Sequence, residues 1–321
     1  MRIPIGSSKF IATLATLSMF LAIACGGGDN TAGTGASSEN ESGNTNLSQP
    51  RGLHTATLLN DGRVLVAGGR SIQSYESAEI FDPNKSDDPE VSQWSPAGNM
   101  LLDRFDHTAT MLSNGLILMV GGDKETGAQL YTQSKRITLQ DSELYDPATN
   151  SWSSAGDMPN PHGSGHTATL LDNGKVLVTG GIYAKVLDAP REPSEFSDIY
   201  DPATGTWSTT GDLTKPRSKH QAVLLEDGNV LVIGDNSSEI YNISTGKWTD
   251  AGELPSNHGA QFSTTVLSNG KILVAGGGSS NWVGGVEVSM PSPIDNADIY
   301  DPSTGKWSSA GTMVKAEVFH T

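Results

Sequence analysis

The sequence predicts an all-β protein built from one supersecondary unit spelled several times, and three observations predict it. The stretch HTATLLNDGRVLVAGG (54–69) returns as HTATMLSNGLILMVGG (107–122) and HTATLLDNGKVLVTGG (166–181), with weaker copies HQAVLLEDGNVLVIGD (220–235) and FSTTVLSNGKILVAGG (262–277). Each copy is followed by an aromatic residue before a turn and then by a tryptophan. The composition is rich in turn formers, with 37 Gly and 16 Pro in 321 residues and only 36 % hydrophobic residues, which suits many short strands joined by tight turns.

The unit parses into four antiparallel strands. HTATLL favours a first strand through its threonines and leucines. NDG, SNG, DNG and EDG then place Asp-Gly or Asn-Gly where a type I′ hairpin needs positive φ at both central residues. VLVAGG is a continuous apolar run, expected of a second strand covered on both faces. After an insert of variable length come AEIFDP (78–83), SELYDP (142–147), SDIYDP (197–202), SEIYNI (238–243) and ADIYDP (297–302), third strands that end in turns, usually at Asp-Pro. Trp94, Trp152, Trp207, Trp248 and Trp307 open the fourth strands, seven residues after the aromatic in four copies and thirteen in the first. The hairpin glycines Gly62, Gly115, Gly174, Gly228 and Gly270 lie 53, 59, 54 and 42 residues apart, and a four-stranded unit at about this period is the signature of a propeller blade.

The diglycine, the aromatic and the later tryptophan resemble the kelch repeat, the unit of kelch β-propellers and of the galactose-oxidase-like central domain. The resemblance covers about residues 51–313. It implies blades around a central axis with the first strand innermost and the Trp strand outermost. The tryptophans and apolar strands then pack blade against blade. His54, His107, His166 and His220 share one repeat position, filled by Phe262 in the fifth copy. A place that accepts Phe is read as interblade packing. The final EVFHT (317–321) matches the opening of a sixth copy. Five complete blades plus the start of a sixth are therefore expected, where kelch rings usually have six or seven. Either the chain is truncated or the five blades form an open arc with an unpaired edge.

The N-terminus reads as a targeting segment. Arg2 and Lys9 precede FIATLATLSMFLAIA (10–24), 15 uncharged residues whose helical rise of about 22 Å is short of a roughly 30 Å hydrocarbon core. An export signal over 1–24 is expected. Cys25, the single cysteine, follows AIA and resembles the lipidated residue of a bacterial lipoprotein, although Ala22 stands where that family favours Leu. Residues 25–50 are almost free of apolar side chains and are expected to form a flexible tether. The propeller occupies 51–321. An exported chain held by lipid in the bacterial cell envelope, at the outer membrane or cell surface, is the expected location. The formal net charge of −16 becomes −18 once Arg2 and Lys9 leave with the signal, and with no basic stripe this argues against nucleic-acid binding. A lone cysteine leaves stability to packing.

Because strands alternate in direction, the inserts between second and third strands share one end of the ring with the blade-to-blade linkers. The inserts vary, with 12, 23, 19 and 23 residues from diglycine to aromatic in copies one, two, three and five, and almost none in copy four. Unlike excursions on one face of a rigid scaffold are where binding is expected. Candidate ligand contacts are Trp282, the one tryptophan outside the repeat pattern; Arg51, Arg104 and Arg217, three residues before the recurring His; His162 and His258 in the copies without that arginine; and Tyr131 and Tyr183 in the excursions. The favoured reading is a non-catalytic module for a protein or glycan, with no cofactor and with membrane contact through the lipid alone. Two enzyme readings follow from the resemblance. A galactose-oxidase-like copper site needs two His, two Tyr and a cysteine cross-linked to one Tyr, and Cys25 is removed from the fold by its position. A sugar epimerase or mutarotase needs a carboxylate and a base at the mouth, with Glu125, Glu192, Glu195 and Asp295 available and nothing to select among them. Nucleophile motifs, phosphate loops and zinc ligand pairs are absent, and the Asp/Asn-Gly turns lack the alternating acids of a calcium loop.

Overall fold

The computed structural model describes residues 47–85, 91–126, 135–184, 190–279, 282–283, 286–287 and 292–317. The expected signal segment, Cys25, most of the tether and Tyr131 lie outside these residues. Four four-stranded antiparallel sheets are followed by a fifth in which four strands repeat the unit and the short Gly278–Ser279 strand adds to the third of them. Their strands are Thr55–Leu58, Val64–Ala67, Ser77–Phe81 and Trp94–Asn99 in the first; Thr108–Met111, Ile117–Val120, Asp141–Asp146 and Ser151–Asp157 in the second; and His166–Leu170, Val176–Gly180, Ser197–Asp201 and Thr206–Thr209 in the third. The fourth has Gln221–Leu224, Val230–Gly234, Ser237–Asn242 and Lys247–Glu253, and the fifth Ser263–Val266, Ile272–Ala275, Ser292–Asp301 and Lys306–Glu317. First strands of successive sheets lie against one another, so the sheets stack as blades with the first strands innermost.

The second strands are apolar apart from Thr179 and the closing glycines, and in the three inner blades both of their faces are covered, as their continuous hydrophobic runs require. In each blade a second-strand aliphatic pairs with the aromatic of the third strand and that aromatic with the tryptophan of the fourth, as in Ile117, Tyr145 and Trp152. The aromatic rings of these pairs sit 4.8 to 5.2 Å apart. That row faces the preceding blade, and the alternate row (Leu65, Leu118, Leu177, Leu231) faces the next, giving four apolar seams between consecutive blades. The tryptophan indoles also reach across the seams. Trp152 Nε1 donates to the Ala97 carbonyl at 2.8 Å, Trp248 to Ser197 Oγ at 3.2 Å and Trp307 to Ser238 Oγ at 2.9 Å. The outer faces of the stack differ from the seams. Val64 and Leu273 are only partly buried, whereas their equivalents Ile117, Val176, Val230, Leu118, Leu177 and Leu231 are all 0 % exposed. Among the described residues no apolar cluster joins the fifth blade to the first.

The hairpin between first and second strands corrects the type I′ expectation. Only the glycine is left-handed, Gly62 at φ 89° and Gly174 at 80°. The Gly62 amide donates to the Leu59 carbonyl at 3.0 Å and Leu59 N to Arg63 O at 2.7 Å. This is a three-residue loop, a type I turn closed by a left-handed glycine. The preceding Asp or Asn accepts an amide two residues on in every copy, for example Asp61 Oδ1 from Arg63 N at 3.1 Å. The two-residue turn with both φ positive occurs instead at Asp235 (49°) and Asn236 (58°), where the fourth blade has no excursion.

Candidate functional site

The diglycine after each second strand is where the linkers dock. In the first blade the Gly69 amide donates to the Arg104 carbonyl of the next linker at 2.8 Å; Gly122 does so to His162 at 3.0 Å and Gly181 to Arg217 at 2.8 Å. A Cβ on Gly121 would stand 2.2 Å from the His162 carbonyl oxygen, so only glycine admits the approach.

The linker side chains then turn into their own blade. Arg51 donates to Gly68 O at 3.0 Å and to Glu79 Oε1 at 3.1 Å, Arg104 to Gly121 O at 3.0 Å and Glu143 Oε1 at 2.7 Å, and Arg217 to the Gly234 carbonyl and, at 3.0 Å, to Glu239 Oε1. His162 and His258 repeat the arrangement in the third and fifth blades. Their Nδ1 atoms donate to Gly180 O at 2.8 Å and Gly276 O at 2.9 Å, and their Nε2 atoms sit 3.2 and 3.1 Å from Asp198 and Asp298. Each of these carboxylates also accepts an amide from the chain arriving at its blade, such as Leu101 N on Glu143 at 2.6 Å, Asn160 N on Asp198 at 2.9 Å and Ser48 N on Glu79 at 3.1 Å. The structure thus places Arg51, Arg104, Arg217, His162 and His258 inside the blades, at most 6 % exposed, each tying a linker to one third strand. It does not bring them together at the mouth. Ser48, within the expected tether, belongs to this repeating contact.

The recurring histidines link neighbouring blades, as their exchange with Phe262 implied. His166 Nδ1 donates to Gly163 O at 2.7 Å, which leaves Nε2 to accept from the Thr108 hydroxyl of the preceding blade at 3.0 Å. His107 Nε2 meets the Thr55 hydroxyl at 3.1 Å and His220 Nε2 that of Thr167 at 2.9 Å. Burial holds His166 and His220 down to about 3, and His107 well below its ordinary value.

The excursions do share an end with the linkers. Gly52 bridges Arg70, Phe105 bridges Asp123, Ser194 bridges Arg217 and Ala260 bridges Gly278. The described parts of the longer excursions include paired strands. Asp123–Thr126 pairs with Lys135–Thr138, Ile182–Tyr183 with Glu192–Pro193, and Trp282–Val283 with Val286–Glu287, so two-stranded ribbons stand on this face. Tyr183 lies at the foot of one of them, buried against Phe196 at 5.3 Å. Trp282 is placed by its backbone on another.

Between ribbons and linkers lies a polar cluster that the sequence did not single out. Asp123, fully buried, accepts from both Arg191 and Thr138, at 2.6 and 3.2 Å, and from Ser164 Oγ at 2.5 Å. Gly163 leaves room for it: a Cβ there would meet Asp123 Oδ1 at 3.0 Å and Arg191 at 3.0 Å. Asp106 lies beside it, with its carboxyl pushed up by burial against the opposing hydrogen bond from Ser164. Such a carboxyl keeps its proton to higher pH than usual and can donate as well as accept. Arg70 pairs with Glu125 at 2.6 Å, and the guanidinium carbons of Arg70 and Arg136 stand 5.0 and 5.4 Å from the centre of the buried Phe105 ring. Four of the five residues that precede the recurring His or Phe, namely Leu53, Asp106, Lys219 and Gln261, are non-glycine residues with φ between 54° and 63°. Asp106 N donates to Leu53 O at 2.9 Å and Lys219 N to Gly165 O at 2.7 Å, so these left-handed residues sit at the inner rim, blade beside blade. Nothing in the letters at those positions marks the conformation.

A model of the kelch motif matches residues 261–314. Kelch-like protein 25 of Xenopus tropicalis is 25 % identical over 252 residues, 77 % of this chain and 38 % of that protein, and Kelch-like protein terF of Aspergillus terreus is 27 % identical over 172 residues, 52 % of this chain and 35 % of that one. The chain thus spans less than half the length of these relatives. Among solved structures, a fungal alcohol oxidase in complex with copper superposes with a TM-score of 0.61 at 20 % identity, covering 84 % of this chain and 55 % of the oxidase. YjhT superposes with a TM-score of 0.61 at 18 % identity, covering 85 % of this chain and 87 % of YjhT. Each histidine considered for a copper centre already has a carboxylate partner in its own blade. His162 and His258 are held in separate blades, and among the described residues no three His, Cys, Asp or Glu side chains form a metal-ligating group. Residues 261–314 thus match the kelch motif, and the fold is that of the kelch β-propellers.

Proposed function

We propose that this chain is a non-catalytic binding module whose ligand docks on the face that carries the ribbons, and that a lipid on Cys25 holds it at a bacterial envelope. One observation carries the reading. The side chains common to the repeats are directed into blades and seams, while the sequences unlike one another rise together at one end on a rigid base. The fourth blade supplies the test, because its Asp235–Asn236 turn closes second to third strand without an excursion. Replacing the excursion of blade two, three or five by Asp-Asn, one at a time, removes a ribbon and leaves the blade. On arrays of oligosaccharides and of envelope proteins, at least one graft is expected to abolish the binding shown by the parent, with melting temperature preserved. Binding that survives all three grafts rules out this face. The anchor is read separately: labelled palmitate is expected in the parent and not in Cys25→Ser, and equal labelling of the two removes the lipid from the proposal.

A further inference from the structure

On the ribbon face, at the junction of the first two blades, lies an open cleft of about 610 Å³, within the roughly 300–1,000 Å³ of small-ligand sites. Its lining includes Gln73, Tyr75, Glu76, Asn99, Asp103 and Glu125. This is a wall of amides, hydroxyls and carboxylates around one aromatic ring, with no aliphatic residue in it. A protein-docking hot spot is the opposite, an apolar pocket filled by an aromatic or aliphatic anchor. Anions are also disfavoured, since three carboxylates face the space. Groups that both donate and accept, as hydroxyls do, match amides and carboxylates together.

The cleft is held open by fixed partners. The Tyr75 amide donates to Gly69 O at 2.8 Å and its carbonyl accepts from Arg104 N at 3.2 Å. The Arg51 guanidinium carbon stands 5.4 Å from the centre of the Tyr75 ring, so one side of the ring is backed by a buried cation. Asn99 Nδ2 donates to Glu76 Oε1 at 2.8 Å, Ser74 Oγ donates to Asp103, the Glu125 amide donates to Ser74 Oγ at 3.2 Å, and Arg70 orients Glu125. Side chains aimed in advance lose little rotamer freedom on binding.

Resting on the binding-module reading above, we infer that this cleft takes a short neutral oligosaccharide. One sugar ring lies on Tyr75 by its C–H face, and its hydroxyls are shared among Gln73, Glu76, Asn99, Asp103 and Glu125. Arg51 acts as a positioning residue for the platform.

The test uses the exported chain from Cys25 onward, unlipidated, titrated calorimetrically with a panel of neutral di- to tetrasaccharides up to millimolar concentration, with calcium chloride alone as a second probe. At least one oligosaccharide is expected to bind. Tyr75→Ala and the exposed pair Gln73→Ala/Asn99→Ala are each expected to weaken it by about tenfold or more, with unchanged melting. Lys175→Ala, beside the hairpin turn at the far end, is expected to leave it unchanged. Among the excursion grafts, the one in blade two, which removes Glu125, abolishes sugar binding and those in blades three and five retain it. Absence of binding across the panel overturns the ligand class, and calcium bound alone and lost in Asp103→Asn assigns the carboxylates to a cation instead. Sugar binding that survives in the cleft variants but falls with the blade-five graft overturns the location while leaving the binding module intact.

Discussion

The Arg104–Glu143 pair shows what a recurring charge does when a repeat buries it. The side chains are 0 and 2 % exposed, and the carboxylate also receives the amides of Leu101 and Leu102 at 2.6 and 3.0 Å. Removing the cation leaves a buried charge with only those two donors. Arg104→Met is therefore expected to cost about 3–5 kcal/mol. Adding Glu143→Gln, which discharges the site but keeps an amide oxygen for the two N–H groups, is expected to restore part of the loss. Urea denaturation of both variants reads the difference, and equal costs would show that charge neutralisation is not what the pair supplies. The buried histidines set a pH dependence with a definite sign. Unfolded imidazoles take a proton near about 6.5, whereas folded His166 and His220 resist it down to about 3 because burial penalises the cation. Between these values the unfolded chain binds more protons, so stability is full above the upper value and is lost as pH falls toward the lower. Denaturation midpoints measured from pH 7 to pH 4 are expected to fall, and less steeply in His220→Phe, which copies the fifth blade; a flat profile would remove the effect.

At the scale of elements, the hairpins explain what could be read from the letters and what could not. The five copies were legible because second strands buried on both faces must stay apolar and because Asp/Asn-Gly marks a tight turn. The turn type was not, since the same dipeptide serves a two-residue loop and a three-residue loop, and strand register decides between them. A Cβ added to Gly174 would have no atom within 4 Å, so Gly174→Ala meets only the left-handed backbone and is expected to cost about 1 kcal/mol. Gly121→Ala, aimed at the His162 carbonyl, is expected to prevent folding or cost several times more, by chemical denaturation. The basic residue and carboxylate partners were present as a pattern: Arg copies carry Glu79, Glu143 and Glu239, and His copies carry Asp198 and Asp298. They went unread because the partners stand 22 to 40 residues apart and become neighbours only once the second and third strands are in register. Asp106, Asp123 and the Tyr75 cleft were less legible still. They depend on left-handed linkers and on ribbons whose contacts cross between blades.

For the whole molecule, stability is a sum over seams, as in other stacked repeats. Leu231 lies in the seam between blades four and five, while its equivalent Leu273 looks outward from the fifth blade and is only partly buried. Leu231→Asp is expected to unfold the chain at room temperature, and Leu273→Asp to lower the melting temperature only modestly; similar losses would mean that the outer flank is packed. The partly uncovered Val64 and Leu273 rows have a further consequence. They carry the residue types that the four seams cover completely. Any blade that covered either one would make a heterologous contact, the Leu273 kind of row meeting the Val64 kind, as in every seam within the chain.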